Sequence, residues 1–487
     1  MKTAIVIGAG LAGLTTAIYL ANNGYKVDVL EKNRQVGGKL QQRQVNGYTF
    51  DLGPSTITMK SVFQSVFSDC GRRMEDYVQF EHVESGTTNY FANHHVVQFS
   101  TNIEKVESMI AKYSVTDANK YREFLYASKK LFETAEKHFL NRAMIGWKST
   151  LDVSLITNFL KIHPFTAYQK WLNQFFTHPN TLAMFGRYAT YVGSSPYKAP
   201  AIFGMMGHIE GNLGVYRVKG GTFQIALAFK KLAEELGVTF HFDTEVIDLE
   251  KKSDEIVSVR TNNSTYTADT IVCNMDALTF YHKWLQDDPT FRKIKHIEPS
   301  LSGFAILLGI KKRYSMLKHH QVFFPANYQD EFKEIFIDKQ MVTKPTIYVC
   351  YSGYEDDSVI PNMDSSNLFI LVNAPALTSE QDWNTNKERY KSEIIAELER
   401  RGLHDLSEHI EYEEIMTPAD LYTHTEAYQG SIYGLSSNNW RQAFFRLPNK
   451  SKKYNNLWFV GGSVHPGGGT PIVVKSGQVT ARAIVNE

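Results

Sequence analysis

The sequence predicts an α/β fold that begins with a Rossmann-type, doubly wound dinucleotide-binding unit. Thr3–Ile7 is a short β-branched run, typical of a buried strand. A complete GxGxxG motif follows directly, with its glycines at Gly8, Gly10 and Gly13. A second run, Lys26–Leu30, ends at the acidic residue Glu31, at the spacing that this fingerprint requires. Together these features predict a βαβ unit that binds a nucleotide.

Each part of the motif has a physical role. Gly8 allows the tight turn from strand to helix, Gly10 lets the backbone approach a pyrophosphate, and Gly13 lets the helix pack close to the sheet. The free N–H groups of the helix N-terminus, at Leu11 and Ala12, suit a phosphate charge. Glu31 is expected to accept hydrogen bonds from ribose hydroxyls and to disfavour a 2′-phosphate. We therefore expect FAD or NAD as the cofactor and not NADP.

Length and composition exclude several classes of protein. The chain has 487 residues, enough for about three domains, or for two if one is assembled from several segments. With 52 basic and 51 acidic residues the net charge is +1, so nothing indicates a nucleic-acid partner. The three cysteines form no CxxC pair, which argues against disulfides or zinc and fits a reducing, cytoplasmic setting. His319 and His320 are adjacent and would point to opposite faces of a strand, so we expect no metal site.

The uncharged stretch from Thr3 to Tyr25 could be interpreted as a signal peptide or membrane anchor. The glycine spacing and the amphipathic helix explain this stretch better, and we find no transmembrane helix elsewhere. We therefore expect the N-terminus to belong to the nucleotide-binding domain.

Three further segments carry a family resemblance. Glu31-Lys32, Gly37-Gly38-Lys39 and Phe50-Asp51-Leu52-Gly53-Pro54 resemble the flavin amine oxidase superfamily, in its carotenoid desaturase and oxygenase branch. In relatives these segments line FAD. The resemblance implies an FAD cofactor and a glutathione-reductase-like domain assembled from discontinuous segments of the chain. It assigns to the cofactor the following residues of this sequence: Lys32, Gly38, Lys39, Gly53, Pro54 and Ser55.

Two later segments return to the cofactor. Around Lys219-Gly220-Gly221 a second βα unit begins, and in the superfamily the residue matching Val246 holds the adenine through its backbone. A strand at Asn456–Val460 then enters the glycine-rich stretch Gly461–Pro471, which predicts a second site for an anion and a ring. This stretch resembles the closing flavin motif, although many relatives have an acid in place of Ser463. The resemblance assigns to FAD the residues Gly462, Ser463, Gly469, Pro471 and Ile472.

These segments suggest a division of the chain. We expect FAD-binding segments at 1–100, 211–290 and 416–487, a helical, membrane-facing substrate segment at 101–210, and an antiparallel-sheet substrate domain at 291–415. Phe165, Tyr168, Leu172 and Phe175 have helical spacing, and Ile156, Phe159 and Leu160 form a similar stripe. Such stripes are typical of a core and also of a membrane interface. Since relatives draw substrates from the bilayer, we expect a peripheral protein on the inner face of the cell membrane.

Three functions remain open from the sequence. The first is an oxygenase that converts a terminal methyl group of a C30 carotenoid to an aldehyde. Ser55, Gly193-Ser194-Ser195 and Gly467-Gly468-Gly469 resemble the diaponeurosporene oxygenases. The second is a phytoene or diapophytoene desaturase, for which threonine after Gly53-Pro54 and alanine in the last glycine run are expected. The third is a prenyl-lipid carrier of the same fold without a working flavin, against which the retained glycines and Glu31 argue.

His465, in the closing flavin loop, is the candidate catalytic acid or base. A histidine bonded to backbone in a loop is the alternative for this position. Asp51, beside the Gly-Pro turn, is the other titratable residue near the predicted flavin. The sequence leaves the oxygen source, the electron acceptor and the oligomeric state open.

Overall fold

The computed structural model describes residues 1–145 and 158–487. The strands in chain order are β1 Thr3–Ile7, β2 Lys26–Leu30, β3 Gln42–Val45, β4 Tyr48–Asp51, β5 Phe80–His82, β6 Thr87–Tyr90, β7 Val96–Phe99, β8 Tyr216–Val218, β9 Thr239–His241, β10 Val246–Lys252, β11 Glu255–Thr261, β12 Thr265–Tyr266, β13 Thr270–Cys273, β14 Ser302–Ile310, β15 His320–Phe323, β16 Ile347–Tyr351, β17 Ser366–Ala374, β18 Ile410–Met416 and β19 Leu457–Phe459.

The α-helices of the described ranges, in chain order, are α1 Leu11–Asn22, α2 Lys60–Ser68, α3 Ile103–Ala111, α4 Val115–Ala135, α5 Tyr168–Leu172, α6 Pro179–Gly186, α7 Met205–His208, α8 Gln224–Glu235, α9 Ala277–Trp284, α10 Pro289–Ile294, α11 Tyr328–Lys333, α12 Trp383–Arg400, α13 Pro418–Thr425, α14 Trp440–Phe444 and α15 Thr470–Val485.

A five-stranded parallel sheet, in the order β19-β13-β1-β2-β9, forms the first layer. Val6 and Val29 are fully buried in its central strands, because helices cover a parallel sheet and leave little of it in water. The strands come from the two ends and the middle of the chain. The prediction of a Rossmann-type domain assembled from discontinuous segments is therefore confirmed.

Helices α1 and α15 pack tightly against each other beside this sheet. A Cβ on Gly477 of α15 would lie 2.6 Å from the carbonyl oxygen of Ala12 and 2.7 Å from Cβ of Thr15. The two helices approach this closely only because position 477 carries no side chain. The C-terminal helix is thereby fixed against the helix that follows the GxGxxG motif.

A seven-stranded sheet, in the order β18-β14-β17-β16-β15-β6-β7, forms the second half of the molecule. All its pairs are antiparallel except β15 with β6. Every residue of β14 is buried, as expected of a strand covered on both faces. The β-rich runs of the sequence at Phe304–Ile310, Gln321–Phe324, Thr346–Tyr351 and Asn367–Val372 correspond to β14, β15, β16 and β17.

The observed strand pairing does not follow the predicted segment boundary at residue 100. Strands β6 and β7, which precede residue 100, complete the edge of the seven-stranded sheet. The pairing that joins β6 to β15 spans more than 200 residues of chain, and hydrophobic periodicity does not report such a contact. The segment boundaries stay a proposal. The pairing of β6 with β15 favours a boundary that precedes β6.

The helical segment buries most of its aromatic stripe and exposes the rest. Tyr168, Leu172 and Phe175 are buried in the core, whereas Leu160 and Phe165 are 63% and 65% exposed. Ile156 lies outside the described residues. Among the described helices, none combines the length and the apolar character needed to span a bilayer.

Candidate active site

A cleft opens where the parallel strands end, and the GxGxxG turn lines it. Gly8, Gly10, Leu11 and Ala12 face the cleft. Helix α1 begins after Gly10 without a side-chain cap, so the N–H groups of its first turn are free for an anion. A Cβ on Gly10 would lie 2.7 Å from Nδ2 of Asn274, the residue that follows β13. The crowding at Gly10 keeps the backbone within reach of a bound phosphate, as the motif predicts.

Gly13 is the predicted cofactor residue that does not line the cleft. A Cβ there would lie 2.3 Å from the carbonyl oxygen of Gly8. Its role is the close packing of helix on strand that the sequence also assigned to it. A direct contact with the cofactor is not supported by this geometry.

Glu31 lies at the end of β2 with its carboxylate buried. One carboxylate oxygen accepts a hydrogen bond from the backbone N–H of Ala9 at 2.7 Å. The other accepts from the backbone and side-chain nitrogens of Asn33, at 2.9 and 2.8 Å. These bonds fix the carboxylate beside the glycine turn, in the cleft where the ribose of an adenosine is expected.

The two candidate counter-charges, Lys32 and Lys39, both have protein partners. Nζ of Lys39 donates to the carbonyl oxygens of Ser431 and Ile432, at 3.1 and 2.6 Å, and burial lowers its pKa. Nζ of Lys32 lies 3.6 Å from a carboxylate oxygen of Glu426. Both lysines line the cleft, and each is tied to the chain segment around residues 426–432 that crosses it.

The second glycine-rich loop reaches the same cleft from the C-terminal side. Helix α15 begins after Gly469 without a side-chain cap, so a second set of free N–H groups points into the cleft. Ser463, which also lines it, accepts a hydrogen bond from the N–H of Ala277 at 2.9 Å. The hydroxyl at this position therefore helps to hold the start of α9.

Ser55 joins the cleft to the seven-stranded sheet. Its hydroxyl is hydrogen-bonded to the hydroxyl of Tyr348 on β16 at 2.7 Å. The same tyrosine hydroxyl is hydrogen-bonded to Nδ1 of His320 at 2.8 Å, where the imidazole accepts or donates according to its tautomer. These two hydrogen bonds connect the predicted cofactor loop with the seven-stranded sheet.

Apart from Gly13, every predicted cofactor residue lines one continuous cavity. These residues are Gly8, Gly10, Leu11, Ala12, Glu31, Lys32, Gly38, Lys39, Gly53, Pro54, Ser55, Val246, Gly462, Ser463, Gly469, Pro471 and Ile472. The cavity encloses about 490 Å³ and extends from the parallel sheet to the seven-stranded sheet. Its far wall is apolar and includes Leu301, Ala305, Val322, Phe369 and Leu371.

His465 does not lie in this cavity. Its imidazole is buried, and Nε2 is hydrogen-bonded to the carbonyl oxygens of Phe139 and Arg142, at 3.1 and 2.9 Å. Burial lowers the pKa of His465 to about 4, so the ring is neutral near pH 7. The catalytic role predicted for His465 is not supported by this geometry. The residue anchors the segment after α4 to the C-terminal loop, which is the alternative that the sequence left open.

Asp51 is also directed away from the apolar cavity. Its carboxylate accepts hydrogen bonds from the backbone N–H groups of Thr222 and Phe223, at 2.7 and 3.4 Å. It thereby holds the start of the second βα unit. Burial raises its pKa, and these hydrogen bonds oppose that rise.

The expectation that His319 and His320 point apart is wrong. Their ring centroids are 4.4 Å apart, and one potential ligand atom from each lies within 4.8 Å of Cys350 and of the other histidine. His319 precedes β15 and does not belong to it, so the alternation of side chains along a strand does not apply. Burial lowers the pKa of His319 to about 3, and that of His320 is also lowered.

Sequence reasoning missed several residues that shape the cavity. Asn274, Tyr348, Tyr433 and Arg187 all line it. The sequence pattern predicts a strand over Ala268–Asn274 that approaches the ligand from the carboxyl edge of the sheet, and this position is the one signal for Asn274, which follows β13. The other three belong to segments without a phosphate-binding motif, and long-range pairing brings them to the site.

A match to a family model decides the class of protein. The model of the flavin-containing amine oxidoreductases matches residues 11–485. The chain belongs to this family. Two uncapped helix N-termini, a close-approach glycine turn and a buried carboxylate, all facing one cleft, fit an adenosine, a pyrophosphate and a flavin ring. This family member is an FAD-dependent oxidoreductase.

Relatives of this family member match over nearly its full length. It is 34% identical to the 4,4'-diapolycopene oxygenase of Methylomonas sp, over 99% of this chain and 97% of that protein. It is 33% identical to the 1-hydroxycarotenoid 3,4-desaturase of Flavobacterium sp. (strain P99-3), over 100% and 99%. It is 31% identical to the 4,4'-diaponeurosporene oxygenase of Staphylococcus haemolyticus (strain JCSC1435), over 99% and 97%.

Solved structures share the fold at low identity. Wild-type putrescine oxidase bound to putrescine has a TM-score of 0.66 at 14% identity, over 100% of this chain and 99% of that one. Cyclohexylamine oxidase from Brevibacterium oxydans IH-35A has a TM-score of 0.64 at 14% identity, over 100% and 99%. These likenesses extend the fold assignment to both halves of the molecule.

Proposed function

We propose that this protein is an FAD-dependent carotenoid oxygenase that converts a terminal methyl group of a C30 carotenoid, of the diaponeurosporene type, to an aldehyde. The observation that carries the proposal is the apolar cavity, which is continuous with the cofactor cleft. A site of this kind suits an elongated hydrocarbon better than a charged amine, because it has a long apolar wall. Full-length relatives named as oxygenases support the same substrate class.

The choice of oxygenase over desaturase rests on two positions. Gly468 stands where a desaturase is expected to have alanine, and a Cβ there would lie 2.7 Å from Cδ1 of Tyr433. Tyr433 lines the cavity, so an alanine at 468 would displace an aromatic ring from its wall. Ser55, the second position, binds Tyr348 on the opposite wall. A relative named as a desaturase, at 33% identity, keeps desaturation as the second candidate.

The chain's own residues would bind and orient FAD and the polyene and would exclude water from them. Bound FAD, reoxidised between two successive two-electron steps, would supply the hydride acceptor beside the conjugated chain, and water or dioxygen would supply the oxygen atom of the aldehyde. Gly10 and the start of α1 would hold the pyrophosphate, and Glu31 the ribose. Leu301, Val322 and Phe369 would hold the polyene in an apolar environment.

The protein would collect this substrate at a membrane surface. We define the aromatic patch as Leu160, Phe165, Trp440 and Phe445, with Leu160, Phe165 and Phe445 at 63%, 65% and 49% exposure. The ring centroids of Phe165 and Trp440 are 5.3 Å apart, so two distant chain segments build one surface. Lys161 and Arg441 are exposed at its edge. Apolar side chains with basic neighbours suit the interface of an anionic bilayer, so we assign the patch to the inner face of the cell membrane.

The test uses purified holoenzyme on liposomes, given diapophytoene and diaponeurosporene in parallel, with products analysed by mass spectrometry. Diaponeurosporene is expected to gain an oxygen atom and lose two hydrogens at its terminus, while diapophytoene stays unchanged. Loss of hydrogen pairs from diapophytoene without oxygen gain would make the protein a desaturase. Purified protein without FAD would instead favour the carrier function.

A Gly10→Val variant serves as the control for cofactor-dependent turnover. Its side chain would collide with Asn274 and block the close approach to the pyrophosphate, so it should lose FAD and all product formation. Stoichiometric FAD in this variant would contradict the cofactor site described above.

A further inference from the structure

One end of the apolar cavity carries a compact group of polar side chains. Arg187 and Tyr191 both line the cavity and lie on one short 3-10 helix, Arg187–Val192. Nη1 of Arg187 donates to the Tyr191 hydroxyl at 2.5 Å. Arg187 is 6% exposed, so its guanidinium is almost completely removed from water. A charged group in such a place is costly unless its donors are satisfied.

The hydrogen bonds of Arg187 and of the neighbouring Glu210 are incomplete. Nη2 of Arg187 lies 3.8 Å from a carboxylate oxygen of Glu210, which also accepts a hydrogen bond from Tyr188 at 3.3 Å. Within residues 1–145 and 158–487, Nε of Arg187 and the second carboxylate oxygen of Glu210 have no hydrogen-bond partner. Arg187 lines the cavity and Glu210 does not, so an acceptor on a bound ligand can recover the free energy that the unpaired donor of Arg187 costs.

Tyr328 adds an unpaired hydroxyl beside the same cavity that Arg187 lines. Its side chain is 7% exposed and lines the cavity, and its hydroxyl has no partner within the described part of the chain. The charge of Arg187 acts on this hydroxyl and lowers its pKa against the larger, raising effect of burial. A Cβ on Gly186, which precedes Arg187 in the chain, would lie 3.6 Å from Cε1 of Tyr328, so the ring of Tyr328 lies beside the start of the Arg187 helix.

We propose that Arg187 and Tyr328, with Glu210 behind Arg187 as its counter-charge, form a binding subsite for the neutral, oxygen-bearing end group of a polyene, a hydroxyl or a carbonyl. This inference rests on the proposed function for the polyene itself and adds the recognition of its oxidised end. Arg187 offers only donors, so the ligand atom that meets it must be an acceptor. Glu210 offsets the charge of Arg187 and disfavours an anion. A hydroxyl or carbonyl satisfies these conditions, and a methyl group does not.

The consequence is discrimination between a hydrocarbon and its oxidised forms. The same apolar wall serves both ligands, and only the oxidised end pairs with the unsatisfied groups. An enzyme with this subsite would bind its partly oxidised polyene more tightly than the hydrocarbon and hold it in a fixed orientation along the cavity.

The test compares two ligands on FAD-loaded enzyme by titration of the polyene absorbance. The probes are a C30 polyene hydrocarbon and the same polyene with a terminal hydroxymethyl group. Arg187→Met, which keeps side-chain length and removes the donors, should weaken binding of the alcohol about tenfold and that of the hydrocarbon less than about twofold. Tyr328→Phe should weaken binding of the alcohol about threefold, again with little effect on the hydrocarbon.

The matched control is Tyr390→Phe, a buried tyrosine in the core of the second domain that does not line the cavity. It should leave both affinities unchanged. FAD stoichiometry and melting temperature report whether each variant is folded, and Tyr328→Phe carries the test if Arg187→Met does not fold. Equal losses for both ligands would overturn the subsite while leaving the proposed function intact. A wild-type enzyme that binds neither polyene would overturn both.

Discussion

Burial of a single imidazole couples the stability of this protein to pH. The pKa of His465 is lowered to about 4 by burial, against about 6.5 in an unfolded chain. Between these values the unfolded chain binds a proton that the folded protein does not. The stabilisation from neutral His465 is therefore complete above about pH 6.5 and is lost as the pH falls towards 4, by about 2 to 3 kcal/mol.

His465→Gln removes this titration and keeps an N–H donor for the carbonyl oxygens of Phe139 and Arg142. We expect the stability difference between about pH 7 and about pH 4.5 to be smaller in the variant than in the wild type. Chemical denaturation at the two pH values measures it. His319 and His320 are also buried with lowered pKa values and leave a residual slope. An equal change of stability with pH in the variant and the wild type would show that His465 titrates normally. A large loss of turnover at pH 7 in the variant would restore His465 as a catalytic candidate.

At the residue level, the predicted cofactor residues lie on one cavity with the exception of Gly13, whereas the sequence indicated few of the residues of its apolar wall. The glycines and Glu31 follow a fixed local spacing, because one turn and one helix must meet a pyrophosphate. The contact between Ser55 and Tyr348 joins positions 293 residues apart, and no local pattern reports it. His465 had been assigned from the loop that carries it, although the direction of its side chain is set by segment 139–142.

At the level of elements, the packing of α1 on α15 controls the cofactor site. Gly477→Ala should improve the intrinsic helix propensity of α15 by about 1 kcal/mol. The new Cβ would, however, lie 2.6 Å from the Ala12 carbonyl oxygen, and overpacking of this kind costs about 1 to 3 kcal/mol. Because backbone cannot move aside as a flexible side chain does, we expect overpacking to dominate. The variant should melt lower and lose FAD more readily.

The control is Gly186→Ala, at the end of α6. A Cβ there has its nearest neighbours at 3.6 Å, which is an ordinary contact. This variant should be neutral or slightly stabilised in the same melting experiment. A lower melting temperature in Gly186→Ala than in Gly477→Ala would refute the packing argument.

Individual strands were easier to predict from the sequence than the pairing between strands. Periodicity and turn residues indicate strands in both large sheets, and Asn46-Gly47 indicates the separate hairpin of β3 and β4. The same signals did not assign β6 and β7 to the second sheet, since their pairing with β15 depends on a contact distant in sequence. Sequence patterns show which face of a helix or strand is apolar, and they do not show which neighbouring element covers that face.

On the scale of the whole molecule, the aromatic patch provides a test of membrane docking. Replacing both Leu160 and Phe165 with serine removes two of its most exposed apolar side chains. Since burial of such a side chain contributes about 1.5 to 3 kcal/mol, partition onto anionic liposomes should fall at least about tenfold. Flotation of liposomes measures the bound fraction.

Ile337→Ser is the matched control, because Ile337 is 62% exposed and lies outside the patch. Its partition should equal that of the wild type, and turnover of substrate in detergent micelles should be unaffected in both variants. Equal liposome binding by all three proteins would remove the patch from the proposal and leave the active site untouched.

The position of β19 at the edge of the parallel sheet has a consequence for biosynthesis. The loop that follows this strand and the start of α15 supply one side of the FAD cleft. While the ribosome still covers that segment, the nascent polypeptide has the GxGxxG turn and Glu31 but only part of the cofactor site. Stable cofactor insertion therefore waits until the closing loop and α15 have left the ribosome. A stop codon that removes α15 would yield an apoprotein that no supply of flavin can rescue.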